Sequence, residues 1–224
     1  MSPTHRVVPA ILTNNALELE RMVRQAEGFA SWVQFDIMDG LFVPSQSIFS
    51  AEVVAAEPGF AYDIHIMAYH PESYFTGFRL AGARRFTFHY EAIPNAVDWA
   101  RYVKSFGLEV GLALNPETPA EVVTTEVATT VDTLLLLSVS PGYYGQPFIP
   151  DVLNKAKEIR QMHHELTIGL DGGINDGNIA EVARAGVDEI CIGSAIFGDV
   201  DPANAYRQLL AQAEQGWQEK DTSS

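Results

Sequence analysis

Two carboxylates and a histidine stand near the ends of short apolar runs, where polar side chains could face a site. In WVQFDIMDG (32–40), Gln34 and Asp36 share one side of a strand, because side chains two apart in a strand point the same way. His65 stands in DIHIM (63–67) and Asp171 in GLDGGIN (169–175). His89, Glu91, Asn115, Ser138, Ser140 and the pair Gly193-Ser194 occupy comparable places. Each residue also has a plainer reading. Asp36 could cap a following helix, although Pro44 and a long loop intervene. His65 alternates with Asp63, and one of the two could be a satisfied core polar group. Asp171-Gly172 could simply form a turn. His89 could be a buried histidine bonded to a backbone carbonyl, and His163 and His164, on a charged helix, are expected to be solvated.

Three glycine-containing loops add a second component: SPGYYGQPF (140–148), LDGGIN (170–175) and IGSAIFG (192–198). Glycines let a backbone approach a phosphate closely, and helix N-termini supply N–H donors to it. Gly142, Tyr143, Tyr144, Gly145, Gln146, Gly172, Gly173, Gly193 and Ser194 are therefore the candidate contacts to a phosphorylated substrate.

The elements that must position these groups alternate. Apolar, β-rich runs occur at 7–12, 32–37, 61–67, 85–89, 109–114, 133–139, 166–170 and 189–193, separated by segments with helical spacing. Strands separated by helices pair in parallel through right-handed crossovers. Eight such units in 224 residues predict an α/β fold, a single (β/α)8 TIM barrel. An open doubly wound sheet is disfavoured because no G-x-G-x-x-G follows the first strand. One domain, 1–224, is expected, with a polar tail fraying from about residue 218. Chemistry in such a barrel belongs at the carboxyl ends of the strands, and the polar residues above gather at that end.

A net charge of −15 and a pI near 4.6 argue against binding nucleic acid or anionic membranes, but not against a phosphorylated ligand. No apolar run approaches the length of a membrane helix, and MSPTHRVVPA lacks the pattern of a signal peptide, so a cytoplasmic protein is expected. The lone Cys191, in EICIGS, reads as a buried core thiol.

The chain resembles the ribulose-phosphate 3-epimerase family over nearly its full length. The motifs are PAIL (9–12), FDIMDGLFVP (35–44), DIHIM (63–67), FTFHYEA (86–92), GLALNPETP (111–119), SVSPGYYGQPFIP (138–150), GLDGGIN (169–175) and GSAIFG (193–198). The resemblance implies a ribulose-phosphate-binding type of barrel acting on a small phosphorylated ketose, D-ribulose 5-phosphate in the main branch. It implies Asp36 and Asp171 as the acids that exchange protons with C3, giving D-xylulose 5-phosphate through an enediolate. Met38 and Met67 match methionines lining the pocket, and His65 and Ser138 are further expected substrate contacts. The family's metal set, two histidines and the two aspartates, falls on Gln34, Asp36, His65 and Asp171. Homo-oligomers are common in the family, and the same is expected here.

Departures fall where they bear on chemistry. Gln34 replaces the first metal histidine, Ala10 a serine, Asn15 an acid, Leu137 a methionine, Ser140 an asparagine and Tyr144 a glycine. Glutamine offers a neutral oxygen where histidine offers nitrogen, so the set is harder and weaker. A divalent metal (Mn, Fe, Zn or Mg) is one expectation, with manganese or magnesium favoured over zinc. A metal-free site, in which Gln34 and His65 donate to the enediolate oxygen, is the other. Two further functions stay open: an epimerase for another ketose phosphate, and a non-catalytic sugar-phosphate-binding paralogue. A Schiff-base aldolase is disfavoured, because Lys104, Lys155, Lys157 and Lys220 fall on predicted helices or the tail.

Overall fold

A computed structural model describes residues 5–48, 59–142 and 145–222. Tyr143 and Tyr144, two of the predicted phosphate contacts, lie outside the described residues. The strands are β1 (Arg6–Ile11), β2 (Trp32–Met38), β3 (Ala61–Met67), β4 (Arg85–His89), β5 (Glu109–Leu114), β6 (Thr133–Leu137), β7 (Thr167–Asp171) and β8 (Glu189–Ile192). All neighbouring pairs are parallel, and β8 pairs with β1 to close the barrel. Such strands are covered on both faces, which is why TLLLL in β6 is buried at every position.

The helices follow the expected signals. Helix α1 (Ala16–Glu27) starts at Asn15, whose side chain accepts from the N–H groups of Leu17 and Glu18. It buries Leu19, Met22, Val23 and Ala26 against the barrel. Among the described residues, α2 (Glu72–Leu80), α3 (Ala96–Lys104), α4 (Thr125–Thr130), α5 (Val152–Met162), α6 (Ile179–Arg184) and α7 (Ser194–Phe197) come next. The last helix, α8 (Pro202–Thr222), packs on α6 so closely that a Cβ at Gly216 would meet the Ala180 carbonyl at 2.4 Å. Its Trp217 is buried and donates from Nε1 to the Val187 carbonyl at 2.7 Å. Where the sequence suggests a frayed tail from about residue 218, α8 continues to Thr222. No helix among the described residues is long and apolar enough to cross a membrane.

The main core lies between barrel and helices. Inside the barrel a smaller apolar layer, including Val8, Ala10, Leu135, Leu137 and Cys191, separates two polar ones. The polar residues therefore do not gather at one end alone, as the sequence suggests. At the amino end Arg85 donates to Asp63 Oδ2 at 2.8 Å, to Thr133 Oγ1 at 2.7 Å and to both carboxylate oxygens of Glu189. Thr87 adds a bond to Asp63 Oδ1 at 2.9 Å, and Arg6 also pairs with Glu189. Gly111 makes room for this layer, since a Cβ there would lie 2.1 Å from Thr87 Oγ1.

Candidate active site at the carboxyl end of the barrel

The opposite polar layer has a different composition. Gln34 and Asp36 project from β2, His65 from β3, and Asp171 ends β7. Gln34 and His65 are fully buried and Asp36 is 7% exposed, while the Asp171 side chain keeps 16% exposure towards the mouth. Gln34 Nε2 donates to Asp36 Oδ1 at 2.8 Å and to Asp171 Oδ2 at 2.8 Å. Its Oε1 accepts from the Cys191 thiol at 3.2 Å. Turning the amide over would set Oε1 against two carboxylate oxygens, so the donors face the acids when no cation lies between them. Burial keeps the Cys191 thiol well above its ordinary pKa, which preserves it as a donor.

His65 Nδ1 lies 2.9 Å from Asp36 Oδ1 and 3.7 Å from Asp171 Oδ2. Burial alone would depress this imidazole, but the hydrogen bond to Asp36 and the charges of Asp36 and Asp171 raise its pKa. Burial and the neighbouring Asp36 charge push the Asp171 carboxyl up to about 7. On the far side, His65 Nε2 meets His89 Nε2 at 2.9 Å, and His89 Nδ1 meets Glu91 Oε2 at 3.3 Å. His89 thus bonds to side chains at both nitrogens, not to a backbone carbonyl. His163, expected to be solvated, is half-buried and donates to the Val123 carbonyl at 2.7 Å.

Above the acids opens a cavity of about 500 Å³, within the usual range for small-molecule sites. Asp36, His65, Asp171, Met38 and Met67 line it. Gly142, Gly145, Gln146, Gly172, Gly173, Gly193 and Ser194 line it as well. Backbone conformation and crowding require glycine at several of these positions, as two examples show. Gly172 has φ +115, and a Cβ would lie 2.5 Å from Val139; Gly173 has φ +67, and a Cβ would lie 2.7 Å from the Phe148 nitrogen. Ser138 is not part of the lining. It is fully buried just past β6, and its hydroxyl donates to the carbonyls of Asp171 and Gly172, fixing the end of β7. Gln34 sits beneath the floor, made partly by Ala10, Leu137 and Cys191. Phe148 and Asn175, also lining, were not singled out from the sequence, although both stand within its quoted motifs.

Asp36, His65 and Asp171 offer ligand atoms within 4.8 Å of one another, a possible metal site. Two carboxylates and an imidazole are a chemically fitting donor set for a divalent cation. Rotation of the Gln34 amide would bring its oxygen into that set and leave its NH₂ against the Cys191 sulfur, a weak acceptor.

Barrel and site together define a (β/α)8 protein in which two carboxylates and an imidazole converge at the carboxyl end of the strands. Residues 6–197 match the sequence profile of the Ribulose-phosphate 3 epimerase family. The chain is 39% identical over 213 residues to ribulose-phosphate 3-epimerase of Mycobacterium tuberculosis, covering 92% of each chain. It is 35% identical over 212 residues to the Bacillus subtilis enzyme of that name, covering 91% of this chain and 97% of the other. It is also 35% identical over 219 residues to the cytoplasmic isoform of Oryza sativa, covering 93% and 94%. Among solved structures, 3-hexulose-6-phosphate synthase from Salmonella typhimurium superposes with a TM-score of 0.68 at 17% identity, covering 94% of this chain and 99% of that one. Orotidine 5'-phosphate decarboxylase from Pyrococcus horikoshii gives 0.66 at 15% identity, with 93% and 99% covered; both show a shared fold. The chain belongs to the ribulose-phosphate 3 epimerase family, carbohydrate epimerases of the isomerase class.

Proposed function

We propose that the protein interconverts D-ribulose 5-phosphate and D-xylulose 5-phosphate by proton exchange at C3. The observation that carries this reading is the pair Asp36 and Asp171, bridged by Gln34 Nε2 at 2.8 Å to each, with the Asp171 carboxyl pushed up to about 7. Near neutral pH the pair shares a proton, so one member is a base while the other is an acid. The charged member takes the C3 proton. The C–H electron pair becomes the C2–C3 double bond, and negative charge moves to the C2 oxygen. The protonated member then delivers its proton to the opposite face of C3, the double-bond electrons form the new C–H bond, and the ketone returns inverted. Each turnover leaves the two carboxyls exchanged in protonation state.

His65 holds Asp36 in place, and Met38 and Met67 give the enediolate an apolar, water-poor wall. Gly142, Gly145, Gln146, Gly172, Gly173, Gly193 and Ser194 are the proposed phosphate contacts. Both N–H groups of Gln34 are committed to carboxylates, so in this arrangement it acts on the acids and not as a direct donor to the enediolate oxygen. A divalent ion held by Asp36, His65, Asp171 and a rotated Gln34 amide would stabilise negative charge on the enediolate oxygens, and this oxygen-rich set favours manganese or magnesium.

The test is exchange of the C3 proton of ribulose 5-phosphate in deuterated water, beside metal analysis of the purified protein and of Gln34→His. Exchange by the wild type supports the reading. Thermal stabilisation by ketose phosphates with no exchange, with or without added manganese or magnesium, would instead make this a sugar-phosphate-binding paralogue.

A further inference from the structure

The chain of contacts behind His65 bears on where its ring hydrogen lies. Glu91 Oε1 accepts from the Asn115 N–H at 2.9 Å and from the Thr118 hydroxyl, which leaves Oε2 for His89 Nδ1. Burial would raise the Glu91 carboxyl, but the bonds from His89, Thr118 and Asn115 bring it down to about 2, so it is a charged acceptor. Facing it, His89 Nδ1 must carry hydrogen. His89 is fully buried, and a neutral ring with its hydrogen on Nδ1 presents Nε2 as a lone pair. The 2.9 Å contact between the two Nε2 atoms is then a hydrogen bond only if His65 donates.

We propose that Glu91 and His89 are positioning residues that fix the hydrogen of His65 on Nε2 and so reserve Nδ1 for the carboxylate pair. With that hydrogen placed, His65 Nδ1 and Asp36 Oδ1, 2.9 Å apart, hold one proton between them or share a cation. The opposite tautomer would aim a fixed N–H at Asp36 and leave no lone pair for either. The same orienting logic is general for imidazoles whose second nitrogen faces a site. His89 is fully buried and Glu91 is 22% exposed at its side chain, so neither is an incidental surface contact. The consequence for rate rests on the proposed acid–base reading; the position of the hydrogen does not.

The experiment is ¹⁵N NMR of histidine-labelled protein, as isolated and after dialysis against EDTA, beside Glu91→Gln and Glu91→Asp. In the wild type, His65 should show a protonated Nε2 and His89 a protonated Nδ1 with a bare Nε2. In Glu91→Gln, the Asn115 and Thr118 donors hold the amide oxygen and turn the new NH₂ towards His89. Both imidazoles should then invert, leaving His65 with a bare Nε2. Loss of such an orienting partner should lower kcat about 10–100-fold with KM less affected. Glu91→Asp, which keeps the carboxylate, should retain the wild-type tautomers. A bare His65 Nε2 in the wild type would overturn the proposal, even if the variants failed to fold. Unchanged tautomers in Glu91→Gln would overturn it too, and an inverted His65 with undiminished kcat would overturn the positioning role. A wild-type protein inactive on every ketose phosphate would sink the epimerase reading and leave the spectrum still decisive.

Discussion

The two polar layers inside the barrel solve opposite problems. At the amino end, Arg6 and Arg85 face Asp63 and Glu189, so formal charges cancel and nearly every donor meets an acceptor. Trp32 lies against both guanidiniums, with their carbons 4.1 and 5.2 Å from its ring centroid. At the carboxyl end two carboxylates converge on one imidazole and one neutral amide. Charge there is unbalanced until a proton or a cation enters. A buried ionic layer that is complete can only hold the fold together, whereas one that lacks a positive charge is poised to accept it. Geometry alone would not tell them apart, because both are buried and densely hydrogen-bonded.

The sharpest break is at the mouth. Asp36→Asn or Asp171→Asn should cost about 10²–10⁴-fold in C3 proton exchange, measured by deuterium incorporation. Asp171→Asn should not lower the melting temperature, because it removes a like charge from beside Asp36. A destabilised but active variant would reverse the assignment of the two layers. At the other end, Arg85→Met strands Asp63 and Glu189 without their main partner. It should cost about 3–5 kcal/mol in urea unfolding, while the folded fraction keeps its turnover.

Titration separates the layers by sign. Asp171 has its folded pKa raised from 3.8 to about 7, so the native state binds the extra proton, and this group's contribution weakens as pH rises from about 4 to 7. Glu189 is the reverse. Burial opposes its charge, but Arg85 and Arg6 lower its pKa below 4.5, so its contribution is present above 4.5 and lost as pH falls below. Melting temperature against pH should therefore flatten above pH 4 in Asp171→Asn and below pH 4.5 in Glu189→Gln. The smallest expected effect is Thr133→Val, which removes one acceptor from Arg85 and leaves the others. It should cost about 1 kcal/mol by the same unfolding measurement, with no change in exchange rate.

Much of this was legible in the chain. Apolar runs bounded by turn and capping residues mark all eight strands within about two residues, because parallel strands buried on both faces leave an unbroken hydrophobic signal. Asn15 illustrates what resemblance can obscure: a departure from an acid by family pattern, it is an ordinary N-cap in the structure. The alternation of Asp63 with His65 put both inside the barrel but could not say that they serve different layers. Two residues of strand rise, roughly 6–7 Å, carry one to the salt-bridge network and the other to the mouth. Ser138 shows the cost of a boundary: β6 ends at Leu137, and the serine turns into the wall instead of the cavity.

By itself, the sequence determined the barrel, the end at which the cavity and its candidate residues lie, and the residue types available there. Strand period and loop composition are local properties, and local properties survive without coordinates. Only the tertiary structure decided which polar groups meet. Gln34 and Asp171 stand 137 positions apart, and Arg85 and Glu189 104. Their encounters depend on the tilt and stagger with which eight strands close, a global constraint that no segment carries alone. The same closure aimed the Gln34 nitrogen at both acids and set His89 behind His65, turning an unexpected glutamine and an unassigned histidine into parts of one site.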